Sequence, residues 1–311
     1  MRVSTPALFN SSLSNILNQQ AEVAKFENQV STGVRFTTAG QDPSGMAQVL
    51  ALQQAQAEHT QYLGNVTTLR QRLGTEENAL ASASDVLSRV RELAVQANNA
   101  TVSPENRQQI AAELTQLKAH LVEIANTNDG IGHYVFGGTL DSSKPFSATA
   151  GGVSYSGTQT VRELSVGEGR SIAEGDSGDT TFLRVPNAAG ANIDLFARVQ
   201  KVIDATLADT STDAARILNH AQFAEAIGEV DGGITHLSTV RASVGSRLAT
   251  LDEVDNRLQG LDTLLQSTLS DVRDLDYAES ISKLQLHSLS LQAAQAAFAK
   301  VQGLSLFNYL R

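Results

Sequence analysis

The chain contains no cysteine and no tryptophan. The first absence excludes disulfides, thiolate metal sites and cysteine nucleophiles. The second is part of a wider scarcity: aromatics make up only 5% of 311 residues, and Leu and Ala fill the apolar positions instead. That suits thin helix-on-helix packing better than one thick central core. No run of 18 consecutive apolar residues occurs, which argues against a membrane-spanning helix. Met1 to Gln20 lacks the apolar run and small-residue cleavage site of a secretory signal, so export would need another route. No block of like charges forms a tail, and a formal net charge of −10 argues against nucleic acid and against a basic membrane-surface role.

What is present is heptad order. With 41% hydrophobic and 18% charged residues the chain can bury a real core over two or three domains. From Gly45 to Asn99, alternating steps of three and four pick out Leu52, Ala55, His59, Tyr62, Val66, Leu69, Leu73, Glu76, Leu80, Ala83, Leu87, Val90, Ala94 and Ala97; all but His59 and Glu76 are apolar. A sustained 3.5-residue seam marks helices that pack lengthwise on other helices, and this one predicts a rod of roughly 80 Å. A second seam, Phe223, Val230, Leu237, Val244, Leu251, Leu258, Leu265 and Val272, repeats every seven residues. Gly228, Gly232, Gly233 and Gly245 weaken that helix by about 1 kcal/mol each relative to Ala.

Punctuation places the other elements. Thr5-Pro6, Asp42-Pro43 and Ser103-Pro104 each read as a cap followed by proline at the first helical position. Ile110, Leu114, Leu117, Leu121 and Ile124 give the helix after Ser103 its stripe, and the short connection predicts that it folds back along the rod. Gly33 breaks the first helix. Between Gly130 and Gly190 lie twelve of the 23 glycines, and heptads give way to short alternating runs. Tyr134-Val135-Phe136, Val153 with Tyr155, and Val161, Leu164 and Val166 predict a small β-rich insertion ending near Pro186. Helix resumes from Ile193 to Leu207.

No chemistry-bearing motif stands out. The six histidines lack ligand spacing, and His59 on the seam reads as a packing residue. Gly167-Glu168-Gly169 lacks the third glycine of a dinucleotide fingerprint and reads as a turn. Asp274, Asp276 and Glu279 begin like a calcium loop but have no loop glycine, so they read as acidic residues on a solvated helix face. The expectation is no enzyme, no cofactor, no catalytic residue and no metal.

The anomaly lies at the ends. Phe9, Ile16, Val23 and Val30 repeat every seven residues, as do Tyr277, Leu284, Leu291 and Phe298. Yet Val3 to Ala21 carries no charge, and Leu284 to Leu310 carries only Lys300. Exposed helix faces are normally rich in Lys and Glu. Uncharged sides opposite an apolar stripe suit burial among copies of the same helix, so these eight residues are the expected assembly interface. In a monomer such ends have little to pack against.

Three stretches carry a family resemblance. They are Gln29 to Arg35 with Asp42 to Ala47; Leu87 to Asn98 with Tyr134 to Gly138; and Asp274 to Glu279 with Leu304 to Leu310. Through them the chain resembles the bacterial flagellin superfamily, and within it the hook-associated branch; Met1 to Ser4, Ser305 to Tyr309 and Gly40-Gln41 resemble that branch more than filament flagellin. The resemblance implies a mainly α fold with a small β domain: an elongated flagellin-like helical rod with coiled-coil-like paired termini. It implies a terminal assembly segment (1–42 plus 274–311), a helical rod domain (43–130 plus 190–273) and a β-rich insertion domain (131–189). It further implies a mechanical adaptor between hook and filament, outside the cell on the flagellum, exported without a cleavable signal. The implied partners are further copies in a ring, a second flagellin-like hook-associated protein, flagellin and a dedicated export chaperone, with no nucleic acid or membrane. The alternatives are a filament flagellin with a small outer domain, or a secreted enzyme or adhesin on a flagellin scaffold.

Overall fold

Helix starts are written into the chain as side-chain oxygens placed to accept the first free N–H groups. Asp42 Oδ1 accepts from Gly45 N at 2.9 Å, Ser103 Oγ from Asn106 N at 3.3 Å, and Asp194 Oδ1 from Ala197 N at 2.6 Å. Thr212 Oγ1 accepts from Ala215 N and Asp276 Oδ1 from Glu279 N, both at 3.1 Å. The helices that follow these caps, after α1 (Thr5–Thr32), are α2 (Pro43–Ala97), α3 (Pro104–Ala125), α4 (Leu195–Leu207), α5 (Asp213–Arg273) and α6 (Tyr277–Tyr309). The computed structural model describes residues 5–149, 152–187 and 189–309, without the side chains of Thr5, Pro6, Leu8 and 302–309. The capping expected of Thr5-Pro6, and the motif residues Met1 to Ser4 and Leu304 to Leu310, therefore lie outside the described side chains.

The strands form three separate antiparallel hairpins: β1 (Phe146–Thr149) with β2 (Gly152–Tyr155), β3 (Glu163–Gly167) with β4 (Arg170–Ala173), and β5 (Val185–Pro186) with β6 (Asn192–Ile193). Gly167-Glu168-Gly169 is the turn of the second hairpin. One of the expected runs is not a strand, and another is a strand only from its second member, since Leu164 and Val166 lie in β3. Tyr134-Val135-Phe136 makes only a single bridge, Asn128 with Tyr134, because the chain turns at once: Gly137 N donates to Tyr134 O at 3.3 Å. Val161 lies ahead of β3. Val135 and Phe136 are apolar for another reason: both are buried in the core.

The chain divides into two compact units. In His59–Gln259, α2 and α5 run antiparallel, cross-linked by Arg70 to Asp252 and Asp255 at 3.0 Å, Glu77 to Arg241 at 2.7 Å and Arg91 to Asp231 at 2.6 Å. From Val66 to Ala97 every seam position of α2 is buried, and so are Phe223 to Leu258 on α5. Helix α3 folds back as expected, with Arg89 on Glu113 at 2.8 Å. Two of the glycines that looked like weak points, Gly232 and Gly233, have a packing reason. A Cβ on Gly233 would stand 2.8 Å from Leu195 Cδ2, so its absence lets α4 cross α5 closely.

Several of the scarce aromatics meet inside this unit. Phe182 stands edge-on to Phe136 at 5.0 Å and to Phe146 at 5.5 Å, and Phe146 meets Tyr155 at 4.9 Å and Phe196 at 5.7 Å. These rings join Val166, Ile172 and Val185 to the helical seams in one continuous core.

Candidate assembly interface

The other unit, Met1–Glu58 with Gly260–Arg311, holds the charge-poor helices α1 and α6. Its base is a short antiparallel junction. Arg35 N donates to Arg273 O at 2.8 Å and Leu275 N to Gly33 O at 3.0 Å, around a Val34–Asp274 bridge. Gly33 ends α1 at φ +73°, and a Cβ there would stand 2.7 Å from the Tyr277 hydroxyl. Beside the junction, Phe36, Val49 and Leu269 form a small core with Met46, Leu52 and Val272. Asp274, Asp276 and Glu279 are solvated as expected, but they span the turn between α5 and α6 rather than one helix face. Asp274 accepts from Ser270 Oγ at 2.7 Å, a bond that with Arg273 holds its carboxyl below the usual range. Asp276 caps α6, and Glu279 pairs with Lys283 at 2.6 Å.

From the junction α1 and α6 run antiparallel against each other. Tyr277 lies by Gly33, His287 stacks on Phe26 at 5.3 Å and bonds Gln19 Oε1 at 2.9 Å, and Phe298 meets Phe9 at 5.2 Å. The expected stripe residues thus fall into three groups. Ile16 is buried; Val23, Val30, Leu284, Leu291 and Phe298 are half-buried; Phe9 and Tyr277 remain exposed. The ends do find a partner in the monomer, and it is each other.

A heptad seam needs a second column three residues on, and here it is Ser12, Gln19 and Phe26 facing Ser280, His287 and Ala294. Phe26 and Ser280 are buried, and Gln19 and His287 are half-buried. Sequence periodicity missed this column because Ser and Gln occupy most of it.

More telling is what the pair leaves uncovered. Leu13 and Leu17 on α1, with Ile281, Leu286, Leu289 and Val301 on α6, are exposed apolar side chains. Covering one Leu fully is worth about 1.5–3 kcal/mol, and no charged residue between Val3 and Ala21 offsets the exposure on α1. A charge-poor helix pair with apolar residues outside its own seam is a candidate surface for coverage by other protein. Among the described residues no group of three His, Asp or Glu side chains is placed to hold a metal ion, and no helix is long and apolar enough to cross a membrane.

Comparison with known proteins agrees with this geometry. The bacterial flagellin N-terminal helical region matches residues 3–141, and the bacterial flagellin C-terminal helical region matches residues 227–310. The chain is 32% identical to flagellar hook-associated protein 3 of Escherichia coli over 99% of both chains. It is 30% identical to flagellar hook-associated protein 3 of Salmonella typhimurium over the whole of both. The crystal structure of flagellar hook associated protein-3 from Legionella pneumophila superposes with a TM-score of 0.68 at 19% identity, covering 72% of this chain and 98% of that one, a likeness of fold.

Proposed function

The chain belongs to the bacterial flagellin family, and we propose from that premise that it is the structural adaptor joining hook to filament. It is a structural protein of the flagellum, an extracellular appendage, and not an enzyme. The observation that carries the reading is end-to-end similarity to hook-associated protein 3, which extends through the β-rich insertion as well as the helical ends.

The chain assembles with other flagellar components. In finer detail, copies form a ring that meets a second flagellin-like hook-associated protein on one side and flagellin on the other. Residues 1–42 and 274–311 are the assembling segment, 43–130 with 190–273 the helical body, and 131–189 the β-rich insertion. Phe9, Ile16, Val23, Val30, Tyr277, Leu284, Leu291 and Phe298 belong to the interface by holding α1 on α6. The exposed Leu13, Leu17, Leu286 and Leu289 make its outer contacts; their exposure on helices that carry few charges supports this. Export runs unfolded through the flagellar secretion channel with a dedicated chaperone, a route compatible with a chain that has no cysteine.

A deletion strain tests the reading. Cells lacking the gene are expected to build hooks, lack filaments and shed flagellin into the medium, with filaments restored by the intact gene. Filaments of normal length in the deletion strain would overturn it.

A further inference from the structure

Glu76 is one of two polar residues on the α2 seam, and it is fully buried. Its Oε1 accepts the backbone N–H of Asp176 at 3.0 Å. Its Oε2 has no hydrogen-bond partner and faces Gly175, where a Cβ would stand 3.2 Å away. The guanidinium of Arg247, on α5, commits both terminal nitrogens next door, and its buried Nε has no hydrogen-bond partner. It pairs through Nη2 with the Asp176 carboxylate and donates through Nη1 to Gly175 O at 3.1 Å.

The charged groups on neighbouring turns are committed too. Arg72, one turn earlier on α2, lies on Asp141, which also takes Arg162 and sits 3.2 Å from His133. Arg162 holds Glu174 at 3.0 Å, and Arg241 holds Glu77. The cluster therefore contains two carboxylates and one guanidinium. Inside protein that set is neutral only with one added proton. Burial, and then the nearby Asp176 charge, push Glu76 up to about 8 against the pull of Arg247.

We propose that Glu76, Asp176 and Arg247 form a proton-dependent latch, in which one proton on Glu76 lets the strap Glu174–Ser177 close over α2 and α5. The strap links β4 to the π-helical turn Asp179–Leu183 that carries Phe182 into the aromatic core. Its far end is held by Ser177 Oγ on Thr158 O at 2.8 Å and Gly178 N on Phe136 O at 3.0 Å. Loss of the proton leaves a buried carboxylate without its own counter-ion, and the Glu76 side of the strap lifts. The closed state binds one proton more than the open state wherever an exposed glutamate is ionised but the buried one is not. The latch is thus firmest below the ordinary glutamate range and loosens as pH rises towards about 8. The firmness of this unit follows the pH of the medium around the flagellum.

The test is amide hydrogen exchange at Asp176 N–H in the full chain, corrected for base catalysis, between pH 6 and 8. The opening equilibrium is expected to rise about tenfold per pH unit near pH 6 and less steeply towards pH 8 in the wild type. Glu76→Gln keeps an acceptor without the charge, and should abolish that slope. Asp176→Asn frees Arg247 for Glu76, and should move the slope to lower pH. An identical slope in Glu76→Gln, or none in the wild type, would overturn the latch. If Glu76→Gln does not fold, the infrared band of a protonated carboxyl decides in the wild type at pH 7: its presence supports the latch and its absence removes it.

Discussion

Arg198 is the largest of the fully buried side chains, and it is a cation. Its Nη2 donates to Val185 O at 2.7 Å and Pro186 O at 3.1 Å, its Nε to Ile193 O at 3.3 Å, and its Nη1 to Glu229 O. One guanidinium thereby ties β5, β6 and α5 to α4, and Gly232 makes room for it, since a Cβ there would stand 3.0 Å from Nη1. The sequence exposes half of this. Arg198 interrupts the apolar face formed by Leu195, Val199 and Val202, so it is visibly out of place. Its four acceptors are backbone carbonyls, which no residue type encodes. Lysine cannot reproduce the fork, so Arg198→Lys should destabilise by on the order of 3 kcal/mol through orphaned carbonyls; an unchanged urea midpoint would refute that. The seam leucines behave more simply. Leu73 and Leu258 are essentially inaccessible, and Leu73→Ala or Leu258→Ala should each cost roughly 2–5 kcal/mol in a denaturant titration. A wild-type midpoint for both would mean that the seam bears no load.

Helices were legible by their period, and some of them also by a cap. Asp42, Ser103 and Thr212 mark three starts, and the heptads of α2 and α5 name their buried faces from Val66 to Ala97 and from Phe223 to Leu258. The insertion was legible only in outline. Its strands are two to five residues long, too short to carry a period, and its core is shared with the helices through Phe146, Phe182 and Phe196. The candidate interface was half legible: the seven-residue columns were visible, but the polar column that includes Gln19 and His287 was not. A shared core also sets what removing the insertion does. Replacing Gly152 to Ser177 with a Gly/Ser linker takes away the buried Val166 and Ile172, each worth about 1.5–3 kcal/mol, and leaves Glu76 without its Asp176 N–H. Helical circular dichroism should survive while the thermal midpoint falls. Loss of most helical signal would show that α2 and α5 cannot stand without the insertion, and an unchanged midpoint would show that it adds nothing to them.

For the whole molecule, the decisive question is whether the charge-poor helix pair docks this protein between two unlike polymers. A charge in the α1–α6 seam is a blunt probe, because Leu291 is half-buried there and Leu291→Asp would damage the pair itself. The outer face gives a cleaner one. Leu17 is 55% and Leu289 65% exposed. In the isolated chain Leu17→Asp with Leu289→Asp should shift stability by no more than about 0.5 kcal/mol per site, the usual range for surface substitutions. In an assembly that covers those positions, each carboxylate would be desolvated without a partner, at a cost of several kcal/mol repeated in every subunit. Cells carrying the double substitution should export the protein, build hooks and release flagellin monomers instead of filaments. Normal filaments would remove the outer face from the interface. A drop in the thermal midpoint of the purified chain would instead show that these leucines serve the monomer. The medium also separates this reading from that of a filament subunit, whose failure to assemble would release itself and no second flagellin.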